Sequence, residues 1–528
     1  MNRNAQAIAL DIGTSGIRAQ LLDIGSKKVL RTNILSKNPL PGSNVMDHLT
    51  FAINYGNDLA RNILLKAVND LIAGLRPDDL QRISVCGNPI QLSIFEGIEI
   101  RDLAYAGENK LRSENVRPVK RDGHIIQGDS IGLAHNVDII IPPAVKHEIG
   151  ADALAMMLKS GFLDDDLCMV TDYGTNAEMA LKVGDRVYTG SAASGPALEG
   201  QHITSGMLAG PGAISDMRKT PEGWVLDILD HELVAREGPI LNIRNNMFRR
   251  HGAVPKGITG TGVIALMYAG MQDDCIDLPT IRGGQIGLGR NISFSENDLK
   301  EAGKAVGAIR AGQMTLISEA GIDFKDVRTM YMAGATGTYV DPLKAKHLGI
   351  VPSCAERIVQ VGNTSLELAK DIALDPEMLD ELNVIKKELL ASHIMFASSP
   401  TFSELYLMEL AYWTEGMPLD MYRTRLSTMT LNGYLDAQCQ TVVERHCVSD
   451  IRDIGGSLEI SEPNVTLEAS WKCRQCMKCV QVCPENALSF TQKFRINAAR
   501  CLGSACCRCE ESCEDGIFKQ SSFKLSGT

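Results

Sequence analysis

The pattern of apolar and polar residues near the start of the chain predicts a strand, a glycine-rich turn and a second strand. Residues 7–21 begin as an apolar run that ends on Asp11, turn at Gly13 and then alternate between apolar and polar positions. Alternation of this kind is typical of a strand with one face in the core. Residues 169–181 repeat the pattern, with Asp172 at the end of the first strand. The chain therefore predicts two similar strand–turn–strand hairpins far apart in sequence.

Three further elements follow from the same pattern. Residues 327–337 predict a buried strand that runs into a glycine-rich turn, and Ser295 with Asp298 predicts a capping box that opens a helix reaching about Glu319. Residues 402–413 form a helical aromatic stripe, typical of a core, with a docking face as the alternative. Small residues in the capped helix favour either close helix packing or contact with an adenosine: Gly303, Gly307, Ala308, Ala311 and Gly312.

Length indicates that the chain has several domains, and composition argues against several classes of partner. At 528 residues it is too long for one hydrophobic core. Its 44% hydrophobic and 22% charged residues are typical of globular proteins, and its formal charge of −11 argues against nucleic acid. No apolar run suggests a membrane span, and the first strand starts too early for a signal peptide, so we expect a cytoplasmic protein. The expected segments are a first lobe (1–170), a second lobe (171–370), a helical segment (371–450), a linker (451–470) and a C-terminal domain (471–528).

Nine of the fifteen cysteines lie in the C-terminal domain. The first four have the spacing of bacterial-type ferredoxins that bind [4Fe–4S] clusters, and Pro484 follows them. The second set departs from the pattern, because its first spacer is two residues longer and Glu514 replaces the proline. Structural zinc usually needs two separated ligand pairs, and disulfides belong to secreted chains, so both are weaker interpretations.

Bacterial-type ferredoxins share ligands between their two clusters in a crossed pattern. One cluster would then be held by Cys473, Cys476, Cys479 and Cys513, and the other by Cys483, Cys501, Cys506 and Cys509. Cys507 is left as a spare thiol or as an alternative to Cys506. Trp471 stands just before the first ligand, where ordinary packing and shielding of a cluster are both possible roles.

Both predicted hairpins have the composition of a phosphate-binding turn. Glycines let successive backbone N–H groups face one concavity, which suits phosphate oxygens, and a nearby aspartate can order a hydrated Mg²⁺. Aspartic proteases also pair two aspartate-containing halves. Their signature needs a small hydroxylated residue after the aspartate, whereas this chain has Ile12 and Tyr173. The protease interpretation is therefore rejected.

Three motifs together resemble the phosphate-1, phosphate-2 and adenosine motifs of the actin and sugar-kinase superfamily: residues 11–14, 172–175 and 333–337. That resemblance implies an α/β fold with two lobes, each built on a five-stranded mixed sheet, closing over Mg-ATP. Longer stretches are similar to the reductive activators of corrinoid proteins, most closely those serving methylamine methyltransferases in methanogenic archaea; these stretches are residues 86–89, 172–178, 192–196, 257–262 and 333–339. This resemblance implies that the ATPase is joined to a small C-terminal α+β bacterial-type ferredoxin domain that holds two [4Fe–4S] clusters.

The resemblance implies roles for the residues that match the motifs. Asp11 and Asp172 would be the catalytic residues and would reach Mg²⁺ mainly through water. Phosphate contacts would come from Gly13, Thr14, Ser15 and Gly16 in the first motif and from Gly174, Thr175 and Asn176 in the second. Gly334 and Gly337 would flank the adenosine. Weaker candidates are Gly195 and residues 260–262, and Glu178 is either a general base or a solvated structural residue.

The expected function is ATP-dependent reduction of Co(II) to Co(I) in the corrinoid proteins of methylamine methyltransferases, during methanogenesis from methylamines. An iron–sulfur oxidoreductase of this kind would need ATP, Mg²⁺, two [4Fe–4S] clusters and a low-potential electron donor. Three alternatives stay open from the residues alone: a small-molecule kinase with an accessory ferredoxin, an activator of 2-hydroxyacyl-CoA dehydratases, and an actin-like scaffold. The dehydratase activator holds one cluster between two subunits, which fits an eight-ligand tail poorly.

Overall fold

The computed structural model describes residues 4–105, 108–145, 149–174, 176–192, 202–249, 252–429, 431, 439–446 and 453–526. The chain forms two compact units, each assembled from separated stretches of sequence. Unit 1 contains residues 1–155, 365–388 and 453–528, and unit 2 contains residues 156–364 and 389–452. The expected helical segment is thus divided between the units, and the expected linker carries two strands, Leu458–Ser461 and Thr466–Ala469. None of the described helices combines the length and apolar character needed to cross a bilayer.

Unit 1 is built on a mixed seven-stranded sheet. The predicted first hairpin is confirmed as Gln6–Ile12 paired antiparallel with Ile17–Asp23, and all seven residues of its first strand are buried. In order across the sheet, the strands are Leu458–Ser461, Lys28–Leu35, Ile17–Asp23, Gln6–Ile12, Leu80–Gly87, Asp138–Ile141 and His124–Gln127. The helices of this part are Val45–Tyr55, Asn57–Leu75, Pro89–Glu96, Arg101–Ala104, Glu108–Ser113, Gly128–Ile131 and Met378–Glu388.

Unit 2 repeats the arrangement around the second hairpin, which is confirmed as Leu167–Tyr173 with Ala177–Val183. Its main sheet also has seven strands, in the order Leu390–His393, Arg186–Ala192, Ala177–Val183, Leu167–Tyr173, Thr329–Ala333, Arg357–Gly362 and Val442–Arg445. A second sheet contains Met247–Phe248, Ala235–Asn242, Gly223–Leu229, Ala213–Thr220 and Gly257–Ile258. Two short hairpins join Ile276–Asp277 to Thr280–Ile281 and Gln285–Gly289 to Ile292–Ser295.

The helices of unit 2 cover its sheets. They are Gly260–Gln272, Glu296–Ala320, Gly334–Tyr339, Pro342–His347, Pro400–Thr414 and Leu419–Thr428. The capping box at Ser295 and Asp298 is present, so the predicted long helix is confirmed. Helices Ala151–Lys159 and Thr364–Leu374 lie at the points where the chain passes from one unit to the other.

The expectation of five-stranded sheets is wrong by two strands in each unit. The additional strands lie at sheet edges: Leu458–Ser461 and His124–Gln127 in unit 1, and Leu390–His393 and Val442–Arg445 in unit 2. Edge strands expose unpaired backbone N–H and C=O groups, and a further strand covers them. Because these strands come from stretches remote from the motifs, the motif pattern does not indicate them.

The C-terminal stretch of unit 1 forms a separate four-stranded antiparallel sheet, in the order Leu488–Phe490, Phe494–Asn497, Thr466–Ala469 and Lys524–Leu525. Two one-turn helices, Lys478–Gln481 and Arg508–Glu511, accompany it. Trp471 packs between Phe494 and Phe518, with ring centroids 5.1 and 4.9 Å away. Packing in a small aromatic core therefore accounts for Trp471.

Candidate functional site

The phosphate-1 turn follows the buried central strand of unit 1 and is itself partly exposed. Gly13 N donates to Gly16 O at 3.0 Å, which closes the turn. A Cβ at Gly16 would lie 2.5 Å from Leu35 O, so only glycine fits there. Thr14 Oγ1 accepts a hydrogen bond from Asn88 Nδ2 (3.1 Å), which orients the hydroxyl. Residues 13–16 thus form a compact backbone turn that is open to a ligand.

Asn38 supports this turn from behind. Its backbone N donates to Ser15 O and its Nδ2 donates to Gly13 O, both at 2.8 Å. The same Nδ2 donates to Gln91 Oε1 at 3.2 Å, and Gln91 Nε2 lies 2.7 Å from His48 Nδ1. The turn is therefore tied to the helix Val45–Tyr55, which carries His48. Asn38, Asn88 and Gln91 were not predicted as site residues, although the Asn88-Pro pair after a strand is a helix-start signal.

Asp11 is buried at the end of its strand, opposite Arg18 on one side and Cys86 on the other. Arg18 Nη1 lies 3.6 Å from Asp11 Oδ2. Burial, together with a smaller contribution from the nearby Asp11 charge, raises the pKa of Asp152 to about 6. Burial also raises the pKa of the Cys86 thiol, with contributions from both carboxylates. Asp11 and Asp152 therefore lie near enough to interact electrostatically beside the phosphate-1 turn.

Asp152 was missed by the sequence reasoning. It lies in the first turn of the helix Ala151–Lys159, where an acid is ordinary because it complements the helix dipole. Nothing in the local pattern distinguishes it from other acids at helix starts. Only the fold brings it to Asp11.

The phosphate-2 turn and the adenosine motif meet in unit 2. Asp172 pairs in parallel register with Ala333, the last residue of the neighbouring strand. Gly334 follows at φ +78°, and a Cβ there would overlap the Asp172 carboxylate. Gly174 N donates to Asn176 O at 3.2 Å, which closes the second turn. Thr175, also expected to contact phosphate, lies outside the described residues.

The prediction of a glycine-rich turn at residues 333–337 is wrong, because Gly334–Tyr339 is a short helix. Two side chains satisfy the backbone carbonyls of this helix. Thr338 Oγ1 donates to Gly334 O at 2.7 Å, and the buried Gln360 Nε2 donates to Gly337 O (2.7 Å), Thr338 O and Val340 O. A Cβ at Gly337 would lie 3.1 Å from the Tyr173 ring, so the backbone packs closely against this ring.

The small residues of the long helix Glu296–Ala320 serve helix packing. A Cβ at Gly303 would lie 2.8 Å from Trp413 Cβ, and one at Gly307 would lie 2.9 Å from Glu409 Cβ. Both partners belong to the aromatic helix Pro400–Thr414. Packing therefore accounts for these glycines, and the stripe faces the core at Leu405, Met408 and Trp413.

The remaining weaker candidates have ordinary structural contacts or lie outside the described part of the chain. Glu178 Oε1 accepts a hydrogen bond from Ser191 Oγ at 3.3 Å. Residues 260–262 open the helix Gly260–Gln272, where Thr259 Oγ1 accepts a hydrogen bond from Gly262 N at 3.1 Å. Gly195 lies within 193–201, which the structure does not describe.

The C-terminal thiols gather in two groups. Burial, together with the nearby charges of Cys509, Cys483 and Cys506, raises the pKa of Cys501 to about 12. Burial likewise raises the pKa of Cys479, with contributions from Cys476 and Cys513. Cys473 is partly exposed just before Cys476. Each group thus includes one cysteine from the other half of the tail, and the crossed ligand pattern stays a prediction.

The donor set is suited to clusters. Every cysteine in the described part of the chain is a free thiol. Among the described residues, no three His, Cys, Asp or Glu side chains converge tightly enough to bind one metal ion. A [4Fe–4S] cubane does not need that convergence, because each thiolate binds a different iron.

The spare thiol Cys507 and Glu514, which stands where the ferredoxin pattern has a proline, both have structural contacts. Cys507 precedes the helix Arg508–Glu511 at φ 49°, as Met477 precedes Lys478–Gln481 at φ 60°. The thiol of Cys507 donates to Ser504 O at 3.4 Å. Glu514 pairs with Arg474 (2.5 Å) and with Lys478, so it joins the two halves of the tail where a proline could not.

Comparisons with known proteins show the family to which the chain belongs. The family described as the RACo middle region matches residues 6–165, and the C-terminal domain of RACo, the ASKHA domain, matches residues 166–423. The "[Co(II) methylated amine-specific corrinoid protein] reductase" of Methanosarcina barkeri is 45% identical over 94% of this chain and 95% of its own length. The "Corrinoid activation enzyme RamQ" of Eubacterium limosum is 24% identical over 77% of this chain and 70% of its own length.

A solved structure shares the fold. The "Reductive activator for corrinoid, iron-sulfur protein" superposes with a TM-score of 0.63 at 23% identity, covering 78% of this chain and 66% of that one. At that identity the similarity concerns the fold alone. With both RACo regions matched and a relative at 45% identity over nearly the whole length, this chain belongs to the family of reductive activators of corrinoid proteins.

Proposed function

We propose that this chain is an ATP-dependent iron–sulfur enzyme that reduces the cobalt of a corrinoid protein from Co(II) to Co(I). One observation carries the proposal: two crossed groups of thiols and two Asp-x-Gly turns occur in a single chain of this family. The name of the Methanosarcina barkeri relative specifies a methylated-amine corrinoid protein, which supports methylamine methyltransferase partners. A cytoplasmic location and a low-potential electron donor belong to the same proposal.

The thiols are assigned to two clusters in a C-terminal ferredoxin domain. One cluster would be held by Cys473, Cys476, Cys479 and Cys513, and the other by Cys483, Cys501, Cys506 and Cys509. When bound, such clusters transfer single electrons at low potential. The protein's part is to fix the thiols, and the Glu514 ion pairs with Arg474 and Lys478 do so by joining the two halves of the tail.

The two turns are assigned to Mg-ATP. In unit 1, residues 13–16 would offer backbone N–H groups and hydroxyls to the phosphates, with Asp11 ordering hydrated Mg²⁺. In unit 2, residues 174–176 and Asp172 would have the same roles, while Gly334 and Gly337 would flank the adenosine. Asp152 is the candidate general base for water, since a carboxyl with a pKa of about 6 can accept a proton near neutral pH.

Nucleotide energy is needed because Co(I) is formed only at very low potential. Each 100 mV of uphill transfer costs roughly 2.3 kcal/mol per electron. Binding and hydrolysis of ATP can supply this only if the protein contacts two states of its partner differently. The phosphate turns therefore need a physical connection to the part of the chain that meets the electron acceptor.

The test uses protein purified without oxygen, a strong reductant and a Co(II) corrinoid protein of a methylamine methyltransferase. Ultraviolet–visible spectra should show that the Co(II) is converted to Co(I) when Mg-ATP is present, and that only a small fraction of the cobalt is converted when Mg-ATP is absent. The Cys476→Ser variant should lose the reaction, whereas Cys507→Ser, a matched change outside the proposed ligand set, should retain it. Failure of the unchanged protein to form Co(I) with ATP would refute the proposal.

Iron content separates the alternatives. Two cubanes predict about eight iron atoms per chain, whereas a dehydratase activator with one shared cluster predicts about two. A kinase with an accessory ferredoxin would transfer phosphate to a small molecule in the absence of any corrinoid protein.

A further inference from the structure

Gln520 connects the C-terminal thiols with the helix that supports the phosphate-1 turn. Its side chain is 8% exposed, and its Nε2 donates to Cys509 Sγ at 3.1 Å. Its Oε1 accepts a hydrogen bond from the Tyr55 hydroxyl, also at 3.1 Å. The amide thus has both ends engaged, and Tyr55 fixes which end faces the sulfur. All of these residues belong to unit 1.

Tyr55 is held firmly enough to orient the amide. It is the last residue of the helix Val45–Tyr55, and its ring packs against Phe51 with centroids 5.1 Å apart. A tyrosine phenol carries its proton at neutral pH, so the Tyr55 hydroxyl acts as the donor to Gln520 Oε1. The thiol of Cys507 lies beside the same hydroxyl.

Near its N-terminus, the helix Val45–Tyr55 is linked to the phosphate-1 turn by hydrogen bonds. His48, one turn into the helix, lies 2.7 Å from Gln91 Nε2, and Gln91 is bonded to Asn38. Asn38 in turn holds Gly13 O. A second link bypasses the helix, since Gly42 N donates to Cys501 O at 2.9 Å. Two groups of hydrogen bonds, joined by the helix Val45–Tyr55, therefore connect the phosphate-1 turn with the thiols.

We propose that Gln520, oriented by Tyr55, is a positioning residue that sets the reduction potential of the cluster held by Cys509 and makes it sensitive to nucleotide at residues 13–16. This inference rests on the proposed function. Hydrogen bonds to cluster sulfurs raise the reduction potential, because they stabilise the more negative reduced form. A ligand that moves the phosphate-1 turn would shift the helix Val45–Tyr55 and so change the strength of the N–H···S bond.

The experiment is a redox titration of the full-length protein, followed by electron paramagnetic resonance, with and without Mg-ADP. Gln520→Met keeps the length of the side chain and removes the N–H donor. One of the two midpoint potentials should become more negative, while the other stays unchanged. Tyr55→Phe should shift the same potential by a smaller amount, and the shift caused by Mg-ADP in the unchanged protein should diminish in both variants.

The matched control is Gln492→Met, the same change at an exposed glutamine of the C-terminal stretch. It should leave both potentials unchanged. If Gln520→Met protein has its full iron content and both midpoint potentials are unaltered, the inference is overturned and the proposed function stands. The same conclusion follows if Mg-ADP does not shift either midpoint potential of the protein without substitutions. If Gln520→Met fails to take up iron, Tyr55→Phe decides the question. An unchanged protein without cluster signals would overturn the proposed function and this inference together.

Discussion

The backbone of Gly334 lies directly against the Asp172 carboxylate, and only glycine fits at position 334. Its φ of +78° is a left-handed conformation, and a Cβ there would overlap Asp172 Oδ1. The contact joins the adenosine motif to the phosphate-2 turn through one backbone position. The two motifs therefore act as a single structural site within unit 2.

Gly334→Ala should weaken nucleotide binding at least tenfold. The methyl group would displace the Asp172 carboxylate, and the left-handed backbone would add about 1–2 kcal/mol of strain. Isothermal titration with Mg-ADP measures the first effect and urea unfolding the second. Gly321→Ala is the matched control, because Gly321 has φ +67° but nothing within 4 Å of the added Cβ. Gly321→Ala should lose stability through backbone strain but bind Mg-ADP as tightly as the protein without substitutions. An equal loss of Mg-ADP affinity in Gly334→Ala and Gly321→Ala would contradict the prediction.

The short-range patterns of the chain predict the turns but not their surroundings. Asp11, Gly13, Asp172 and Gly174 are recognisable because each turn is complete within a few residues. Its supports come from elsewhere, as when Asn38 reaches back 25 residues to Gly13.

Contacts across long separations carry no local signal. Tyr55 and Gln520 are 465 residues apart, so no local period or spacing marks either of them. The edge strands were missed for the same reason. The sequence does not determine the role of the glycines at positions 303 and 307, because small residues suit close contact with a helix and with a ligand equally well. Their contacts with Trp413 and Glu409 show that the role is helix packing.

Asp152 should give ATP hydrolysis a rising pH dependence. A general base must be deprotonated, so a pKa of about 6 predicts activity that increases as pH rises through about 6 and levels off above it. Asp152→Asn should lower the rate of hydrolysis by roughly 10²–10⁴-fold and remove this dependence. Phosphate release between pH 5 and 8 measures both effects.

Glu178→Gln serves as the comparison for Asp152→Asn, since it makes the same change in the other candidate base. It should leave the rate within a few-fold of the unchanged protein. A large loss in Glu178→Gln together with normal hydrolysis in Asp152→Asn would reverse the assignment.

A buried ion pair makes unit 2 sensitive to single changes in its helices. Arg310 Nε lies 3.1 Å from Glu409 Oε1, and both side chains are almost fully buried. Tyr422 and Trp413 also donate to the Glu409 carboxylate, while burial raises its pKa. Arg310→Met should lower the free energy of unfolding by about 3–5 kcal/mol, because it leaves an unpaired buried carboxylate.

Urea unfolding measures this loss, and the double variant Arg310→Met with Glu409→Leu should recover much of it, since no charge is then buried alone. Arg236→Met is the control within unit 2, because its partner Asp230 and Arg236 itself are solvent-accessible. That change should alter the stability by less than about 1 kcal/mol. A double variant as unstable as Arg310→Met would show that packing, and not charge, determines the effect.

His48 should make unit 1 less stable as the solution becomes acidic. Burial lowers its pKa to about 4, and the nearby Asp47 charge only partly opposes this. An unfolded histidine binds a proton below about pH 6.5, whereas the folded one does so only below about 4. Between these values the proton favours the unfolded chain, so the contribution of His48 falls by about 3 kcal/mol as pH drops from 6.5 to 4.

His48→Gln isolates this contribution, because glutamine does not titrate and can still accept a hydrogen bond from Gln91. Urea unfolding at pH 7, 5.5 and 4 should show the stability of the unchanged protein falling relative to that of the variant across this range. Carboxylates that titrate in the same window affect both proteins equally and cancel in the difference. Parallel pH profiles would mean that His48 becomes protonated within the folded helix Val45–Tyr55, and that the link between Gln91 and this helix changes with pH.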